Sequence, residues 1–278
     1  MEDNYGKHFI PTIHVVGPHN SGKTTFMVKL MKALKEQGAR VAVLKHISIE
    51  NFNIDTKGKD SAIYWDSGAD AVIIRADKQA VLIEHKSDKD ATMGEIYRSL
   101  PDNIDILMIE GFKQLVRRSH SGIIAFLNTK DDEKEYVPAS KRLLIAKLSI
   151  KGVEGTLDPE KDFEKIMELV NKNLERQKQL KDILEKLPGI DCGHCGPPRC
   201  IDFAQLILDG TKKIEDCYII QKRKELEITI KIKGETIELH PFVADIIRKP
   251  ILAALSTLKG VKIEGNEEVY LEVNSPEE

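Results

Sequence analysis

The spacing of apolar residues divides the chain into stretches of different character. Residues 10–16 (Ile-Pro-Thr-Ile-His-Val-Val) read as a short apolar strand, followed at once by a Gly-containing loop. From Lys23 to Gln37, Phe26, Leu30, Met31 and Leu34 fall on one face of a helix. Gly38 stands where a C-terminal cap glycine belongs. Arg40–Leu44 is the next strand. From Lys45 to Lys59 the sequence turns polar and loses its period, which predicts a long loop, and long loops beside phosphate sites are often functional. A short helix over Ser61–Ser67 follows. Then come strands at Ala71–Arg75 and Gln79–Glu84 with a turn at Asp77-Lys78, and a helix over Thr92–Leu100. Ile104–Ile109, apolar apart from Asp105, reads as a buried central strand. Gly122–Leu127 and Leu143–Leu148 add two more strands. This alternation predicts a three-layer α/β domain over residues 8–157.

Beyond it, Asp158-Pro159 predicts a helix start with proline at the first helical position. Phe163, Ile166, Met167, Val170, Leu174, Ile183, Leu184 and Leu187 keep helical spacing, giving a connecting helix over 158–187 that packs on the first domain and then leads outward. A cysteine-containing module occupies 188–222. In the last stretch, 223–278, Leu226, Ile228, Ile230 and Ile232 alternate, Lys233-Gly234 turns, and Ile237 and Leu239 continue, which is a hairpin pattern. Pro241–Leu258 reads as a helix kinked at Pro250. Val261–Glu264 and Val269–Val273 predict a second hairpin around Gly265-Asn266. The expected fold class is therefore α/β, with a small helical module and a small α+β unit behind the main domain.

Composition narrows the function classes. Hydrophobic residues make up 41% and charged residues 31% of the 278, which suits two or more modest cores better than one large one. A formal net charge of −3 and 5% aromatic residues argue against a nucleic-acid binder. No apolar run approaches the roughly 18 residues of a membrane span. Met1–Lys7 is polar with both signs of charge, unlike a secretory signal, so a cytoplasmic protein without a membrane partner is expected. All four cysteines lie between Cys192 and Cys217, and in a reducing compartment such a cluster reads as metal binding rather than as disulfides.

Gly17-Pro18-His19-Asn20-Ser21-Gly22-Lys23-Thr24 is a full phosphate-binding loop, with a strand before it and a helix after it. The backbone N–H groups of such a loop cradle phosphate oxygens, and the helix dipole adds to their pull. The candidate nucleotide contacts are Gly17, His19, Asn20, Ser21, Gly22, Lys23, Thr24 and Thr25. Lys23 would reach the β- and γ-phosphates, and the Thr24 hydroxyl would ligate Mg²⁺. The metal needs a second oxygen donor, and Glu110, at the C-terminal end of the apolar strand, is where that partner belongs. Asp105, at the other end, reads as a strand-edge or capping residue. Thr129-Lys130-x-Asp132 approximates the pattern that reads guanine, in which the Asp accepts from donors that adenine lacks; the alternative is a charged, solvated turn. For catalysis the candidates are Lys23, Glu110 and Asp55, with Asp60 in the same loop. Gln114, Arg117 and Arg118 lie past Glu110 without diagnostic spacing, and slow hydrolysis at best is expected.

Further blocks carry a resemblance: Val43-Leu44-Lys45-His46, Asp55-Thr56-Lys57-Gly58-Lys59-Asp60-Ser61, Ser67-Gly68-Ala69 and Ile109-Glu110-Gly111-Phe112-Lys113, in this order after the phosphate loop. Over about residues 8–155 the chain resembles the molybdopterin-guanine dinucleotide biosynthesis protein B (MobB) family. The resemblance implies a protein that binds GTP with Mg²⁺, hydrolyses it slowly and forms a homodimer. It implies a nucleotidyltransferase partner that joins GMP to molybdopterin in making the molybdenum or tungsten cofactor, and beyond that a molybdo- or tungsto-enzyme target. On it the Asp55–Asp60 block acts as a nucleotide-sensing loop, and Lys45, His46 and Lys113 face an anionic ligand, molybdopterin among the candidates, or simply solvate the surface.

Cys192-x2-Cys195-x4-Cys200-x16-Cys217 is a metal signature, since packing does not explain thiols bunched this closely. Four thiolates suit a [4Fe–4S] cluster or tetrahedral Zn²⁺. The surrounding Cys-Gly-His-Cys-Gly run, the Phe203-Ala204 helix, Gly210 and the late Cys217 resemble the small four-cysteine iron–sulfur domain of some electron-transfer subunits and corrinoid proteins. That resemblance favours [4Fe–4S]. His194 lies between two ligands and reads as a neighbour of the metal shell rather than a ligand, and His240 as a local capping residue. Two other functions stay open at this stage: an NTP-dependent metallochaperone carrying its cargo on the cysteines, and a redox adaptor whose partner affinity follows the bound nucleotide.

Overall fold

The structure, a computed structural model, describes residues 8–46, 63–64, 67, 69, 71–75, 80–84, 92–112, 120–140, 142–223, 230–232, 235–237 and 239–258. It divides into two compact units, Met1–Lys181 and Asp182–Glu278. Among the described residues no helix is long and apolar enough to cross a membrane.

In the first unit, strand β1 (Thr12–Val16) runs into helix α1 (Lys23–Glu36), then strand β2 (Val41–Lys45). Strands β3 (Ala71–Arg75) and β4 (Ala80–Glu84) pair antiparallel as a separate hairpin. Helix α2 (Met93–Ser99), strands β5 (Ile106–Glu110) and β6 (Gly122–Phe126), a short helix α3 (Glu133–Tyr136) and strand β7 (Leu144–Leu148) follow. Helix α4 (Phe163–Lys186) comes next. The five-stranded sheet is parallel in the order β2-β5-β1-β6-β7. β1 therefore lies in the middle, and the C-terminal ends of β2, β5 and β1 share one edge.

Why these segments form these elements follows from their burial. Every residue of β1 and β6 is buried, as a central parallel strand covered on both faces requires. Phe26, Leu30 and Leu34 recur every four residues along α1 and are all but fully buried. Covering each such side chain is worth about 1.5–3 kcal/mol. They meet Ile13, Val15 and Phe126 from the sheet and Ile166, Val170 and Leu174 from α4 in one core. Val16, Ile123, Ala125 and Leu127 face the other side, against Tyr136, Val137 and Val153. Helix, sheet and further helices thus make the three layers expected. Gly38, at φ +88°, ends α1, with its N–H on the Lys35 carbonyl and that of Ala39 on the Leu34 carbonyl.

One expectation shifts and another holds. The helix expected from Pro159 begins at Phe163. The Asp158 carboxylate accepts from the Glu160 and Lys161 N–H groups at 2.8 and 3.0 Å, and the Asp158 N–H donates to Asp162. These bonds wind a tight capping turn before the helix instead of a first helical turn. Asp105 does cap: its carboxylate accepts the Arg40 N–H at 2.8 Å.

Gln177 on α4 does a strand's work at the bottom edge of the sheet. Its amide accepts the Thr12 N–H at 2.8 Å and donates to the Thr12 carbonyl at 3.0 Å, both buried, and to Asn173 at 2.7 Å. Gln177→Leu keeps the volume but orphans the buried Thr12 N–H and removes one bond from the Thr12 carbonyl. At about 1–3 kcal/mol per buried unpaired group, a loss of about 3 kcal/mol in unfolding free energy is expected. Denaturant unfolding checks this, and a midpoint unchanged at constant slope would show that the pair carries no net stability.

In the second unit, helices α5 (Cys200–Leu208) and α6 (Tyr218–Arg223) flank the cysteine turns. Strands β8 (Ile230–Ile232) and β9 (Glu235–Ile237) form an antiparallel hairpin. Helix α7 (Pro241–Ser256) begins on proline, and His240 caps it by accepting the Phe242 N–H on Nδ1 at 3.2 Å. Ile201, Phe203, Ala204, Ile219 and Ala244 are buried. The second hairpin expected at 261–273 lies outside the described residues.

Candidate functional site

The C-terminal edge of the parallel sheet opens into a cavity of about 720 Å³, lined by the loop from Gly17 to Thr25 together with Lys45, His46, Glu110, Phe112 and Tyr136. That is within the usual range for a small-molecule site. Switch edges of this kind, at the carboxyl ends of parallel strands, are where α/β sheets bind ligands.

The loop is set by close packing. Gly17, at φ +151°, lies so near β6 that an added Cβ would stand 2.6 Å from the Phe126 carbonyl oxygen. The Ser21 hydroxyl donates to the Pro18 carbonyl at 2.9 Å. Lys23 Nζ reaches back over the loop to the same carbonyl at 2.5 Å. Burial holds the Lys23 ammonium below the usual lysine range; Glu110 pulls it back up, and Lys45 adds to the depression. Gly22 leads directly into α1, so the free N–H groups of the helix start face the cavity.

Opposite the loop, Glu110 ends β5. Its carboxylate accepts the Thr24 hydroxyl at 2.9 Å and lies 3.9 Å from Lys45 Nζ. Two hard oxygen donors side by side suit a hard divalent cation that keeps several waters, such as Mg²⁺. Buried His14 supports this corner from within the sheet. Its ring Nε2–H donates to the Gly111 carbonyl at 2.5 Å, and its Nδ1 has no hydrogen-bond partner among the described residues. Burial drives its pKa down to about 4 against a smaller upward pull from that bond, so the ring is neutral near pH 7. The Gly111 N–H in turn donates to the Val15 carbonyl at 3.1 Å. The His46 and Phe112 rings lie 4.3 Å apart beside Glu110.

The structure thus brings together the phosphate loop, Lys23, Thr24, Glu110, Lys45 and His46. It places Lys130 and Asp132 otherwise. Asp132 accepts the Asn128 and Thr129 N–H groups at 2.8 and 2.9 Å, and these bonds hold its carboxyl below the usual carboxylate range. Lys130 pairs with Glu154 at 3.2 Å. Neither lines the cavity. Asp55, Asp60, Lys113, Gln114, Arg117 and Arg118 lie outside the described residues. Tyr136 lines the cavity and was not singled out from the sequence; no spacing marks a tyrosine on a one-turn helix after a charge run.

In the second unit, Cys192, Cys195, Cys200 and Cys217 line one cavity whose walls include Leu187, Ile190, Phe203 and Ile219. All four are free thiols. The Tyr218 N–H donates to Cys195 Sγ at 3.3 Å, and the Cys200 N–H to Asp191 at 2.6 Å. Burial pushes the Cys195 and Cys200 thiols up to about 11, so both would surrender a proton on meeting a metal. The cavity measures about 10 Å³, roughly one water-sized sphere, so a cuboidal cluster would have to spread the four side chains. Among the described residues no three His, Cys, Asp or Glu side chains are gathered into a single-ion site. The donor set fits a thiolate-bound metal, and its walls are apolar. His194 sits outside the thiols, its Nδ1 3.0 Å from the Cys192 carbonyl and its ring stacked on Tyr218 at 4.9 Å.

Comparison with known proteins supplies the family. Residues 12–148 match the family described as molybdopterin guanine dinucleotide synthesis protein B. A Methanocaldococcus jannaschii protein named "Putative molybdopterin-guanine dinucleotide biosynthesis adapter protein" is 30% identical over 254 residues, 90% of this chain and 92% of its own length. The chain belongs to the molybdopterin-guanine dinucleotide synthesis protein B family. An Escherichia coli relative, a molybdopterin-guanine dinucleotide biosynthesis adapter protein, is 26% identical over 166 residues, 55% of this chain and 93% of that protein. A crystal structure of Bacillus subtilis MobB aligns at 27% identity over 59% of this chain and 98% of that one, with a TM-score of 0.46. Residues 187–219 match a second family, described as "Putative Fe-S cluster", so this family member carries the cysteine module behind its family domain.

Proposed function

We propose that the protein is a GTP- and Mg²⁺-binding accessory of molybdenum or tungsten cofactor maturation. It assists a nucleotidyltransferase that attaches GMP to molybdopterin, hydrolyses GTP slowly, and carries a [4Fe–4S] cluster on Cys192, Cys195, Cys200 and Cys217. The observation that carries the nucleotide reading is the pairing of Thr24 with Glu110 at 2.9 Å beside the phosphate loop, in a chain of this family. In this reading the loop N–H groups and Lys23 hold the phosphates, and Thr24 and Glu110 hold the metal. Bound Mg²⁺ supplies charge neutralisation at the phosphates. The protein's own part is to fix their position and screen them from water. The division of labour follows the chain: residues 8–157 bind nucleotide, 158–187 connect, 188–222 hold the cluster and 223–278 make contacts. The β3–β4 hairpin exposes Ile73 and Leu82 at 72% and 56%. An apolar hairpin left open in this way invites pairing with another chain, which supports a homodimer.

Anaerobic purification with iron, sulfide and zinc analysis, followed by calorimetric titration of GTP and ATP, tests the reading. A protein that prefers ATP, or one that fails to raise GMP transfer when added to the purified nucleotidyltransferase, would sink it. Lys23→Met supplies the internal check. It removes a charged hydrogen-bond donor from the phosphates, and GTP affinity should fall about a hundredfold while the thermal midpoint holds.

A further inference from the structure

We propose that Lys45 is the residue by which the site distinguishes a nucleoside triphosphate from a diphosphate, held on Glu110 until Mg²⁺ claims that carboxylate. The inference rests on the nucleotide reading above and extends it to a residue outside the phosphate loop.

The position of Lys45 is built into the sheet. It is the last residue of β2 and stands in register with Glu110, the last residue of β5. The pairing continues one step further, because the His46 N–H donates to the Glu110 carbonyl at 3.0 Å. Registered neighbours on parallel strands send their side chains to the same face. Lys45 and Glu110 are therefore set side by side by backbone pairing, and Lys45 lines the same cavity as the phosphate loop.

The charges around Glu110 define the exchange. One carboxylate oxygen, Oε1, accepts from Thr24 at 2.9 Å and faces Lys45 Nζ at 3.9 Å. The Lys45 side chain is 57% exposed. An ion pair that long and that wet is worth about 0–1 kcal/mol, so little holds Lys45 in place. A divalent ion at Thr24 and Glu110 would satisfy the carboxylate better than an ammonium at 3.9 Å. Lys45 would then be released next to the metal. Thr24 and Glu110 would hold Mg²⁺, which would neutralise charge on the phosphates, so a cation freed at that carboxylate would be available to the terminal phosphate in the same cavity. Lys23 is engaged with the loop at the Pro18 carbonyl and feels the charges of both Glu110 and Lys45. A triphosphate collects both ammonium groups, and a diphosphate collects one. The alternative is that Lys45 only neutralises Glu110, in which case its removal affects metal binding alike for both nucleotides.

Calorimetry on the full chain decides between them, with GTPγS and GDP titrated in Mg²⁺ and again in excess EDTA. For Lys45→Met in Mg²⁺, GTPγS affinity should fall about ten- to hundredfold, the range for losing one charged hydrogen bond. GDP affinity should stay within about threefold, and in EDTA the substitution should cost GTPγS little. Lys45→Arg, which keeps the charge, should restore most of the preference and guards against a misfolded variant. Equal losses for the two nucleotides, or a preference that survives in Lys45→Met, would overturn the role of Lys45 while leaving the nucleotide reading intact. A wild-type chain that binds neither nucleotide would overturn that reading, and the inference with it.

Discussion

Exchanging Cys217 for serine is expected to strip the iron from the protein, taking an anaerobically purified chain from about four irons to near none. Cys217 is the buried member of the four, only 3% exposed. It is also the one supplied from far along the chain, just before α6, while Cys192 and Cys195 come from the turns ahead of α5 and Cys200 is the first residue of that helix. Losing it breaks the only covalent closure between those two segments that a metal would make. The second unit has a modest apolar core, and small domains of that kind draw much of their folding energy from the bound metal. The variant should therefore also become far more sensitive to protease within 182–223 than the wild type. His194→Ala is the matched control. His194 meets the Cys192 carbonyl and the Tyr218 and His240 rings and stands outside the thiols, so this variant should keep its iron. Iron and sulfide assays with visible absorption make the measurement. Full iron in Cys217→Ser, or one zinc per chain in the wild type, would refute the cluster assignment.

The second large effect falls on the phosphate loop. Gly17→Ala should cost about 3 kcal/mol of the first unit's stability, equivalent to about 10 °C in Tm for a unit of this size, and should abolish nucleotide binding. The added methyl would meet the Phe126 carbonyl oxygen at 2.6 Å and the Phe126 Cβ at 2.7 Å. Both belong to β6, a fully buried central strand that cannot recede without disturbing the core. The loop would have to move instead, turning its N–H groups away from the phosphates. Gly152→Ala separates this close approach from backbone strain alone. Gly152 also has a positive φ, +70°, but nothing lies within 4 Å of its missing Cβ. That variant should lose about 1 kcal/mol and bind nucleotide normally. Thermal unfolding followed by GTP titration of both variants checks the pair. Similar Tm losses in the two would mean that conformational strain, not the contact with β6, governs the loop.

Much of this protein follows from local rules that act over a few residues. The phosphate loop needs only its own glycines, lysine and threonine between a strand and a helix, so it is plain in residues 17–24. Glu110 is marked because the short apolar run before it suits a buried strand, and the charged residue ending such a strand belongs at the sheet edge. The cysteines carry their chemistry in their spacing. Other features arise only when distant segments meet. The pairing of Lys45 with Glu110 depends on β2 lying beside β5, a neighbour relation across 65 residues that strand order alone decides. Asp132 fits a base-reading pattern, yet the backbone N–H groups of Asn128 and Thr129 take its carboxylate first, since a local hydrogen bond costs no loop closure. Asp158 and Asp162 likewise satisfy nearby N–H groups, which moves the start of α4 from Pro159 to Phe163. Gln177 reads as one more polar position on a long helix, and only its burial against Thr12 shows that it completes the sheet. Sequence by itself determined the chemistry available to this protein, because residue type and short spacing set it. Tertiary structure decided which of those groups face one another across the cavity, because register, strand order and competition for hydrogen bonds act between residues that are far apart in the chain.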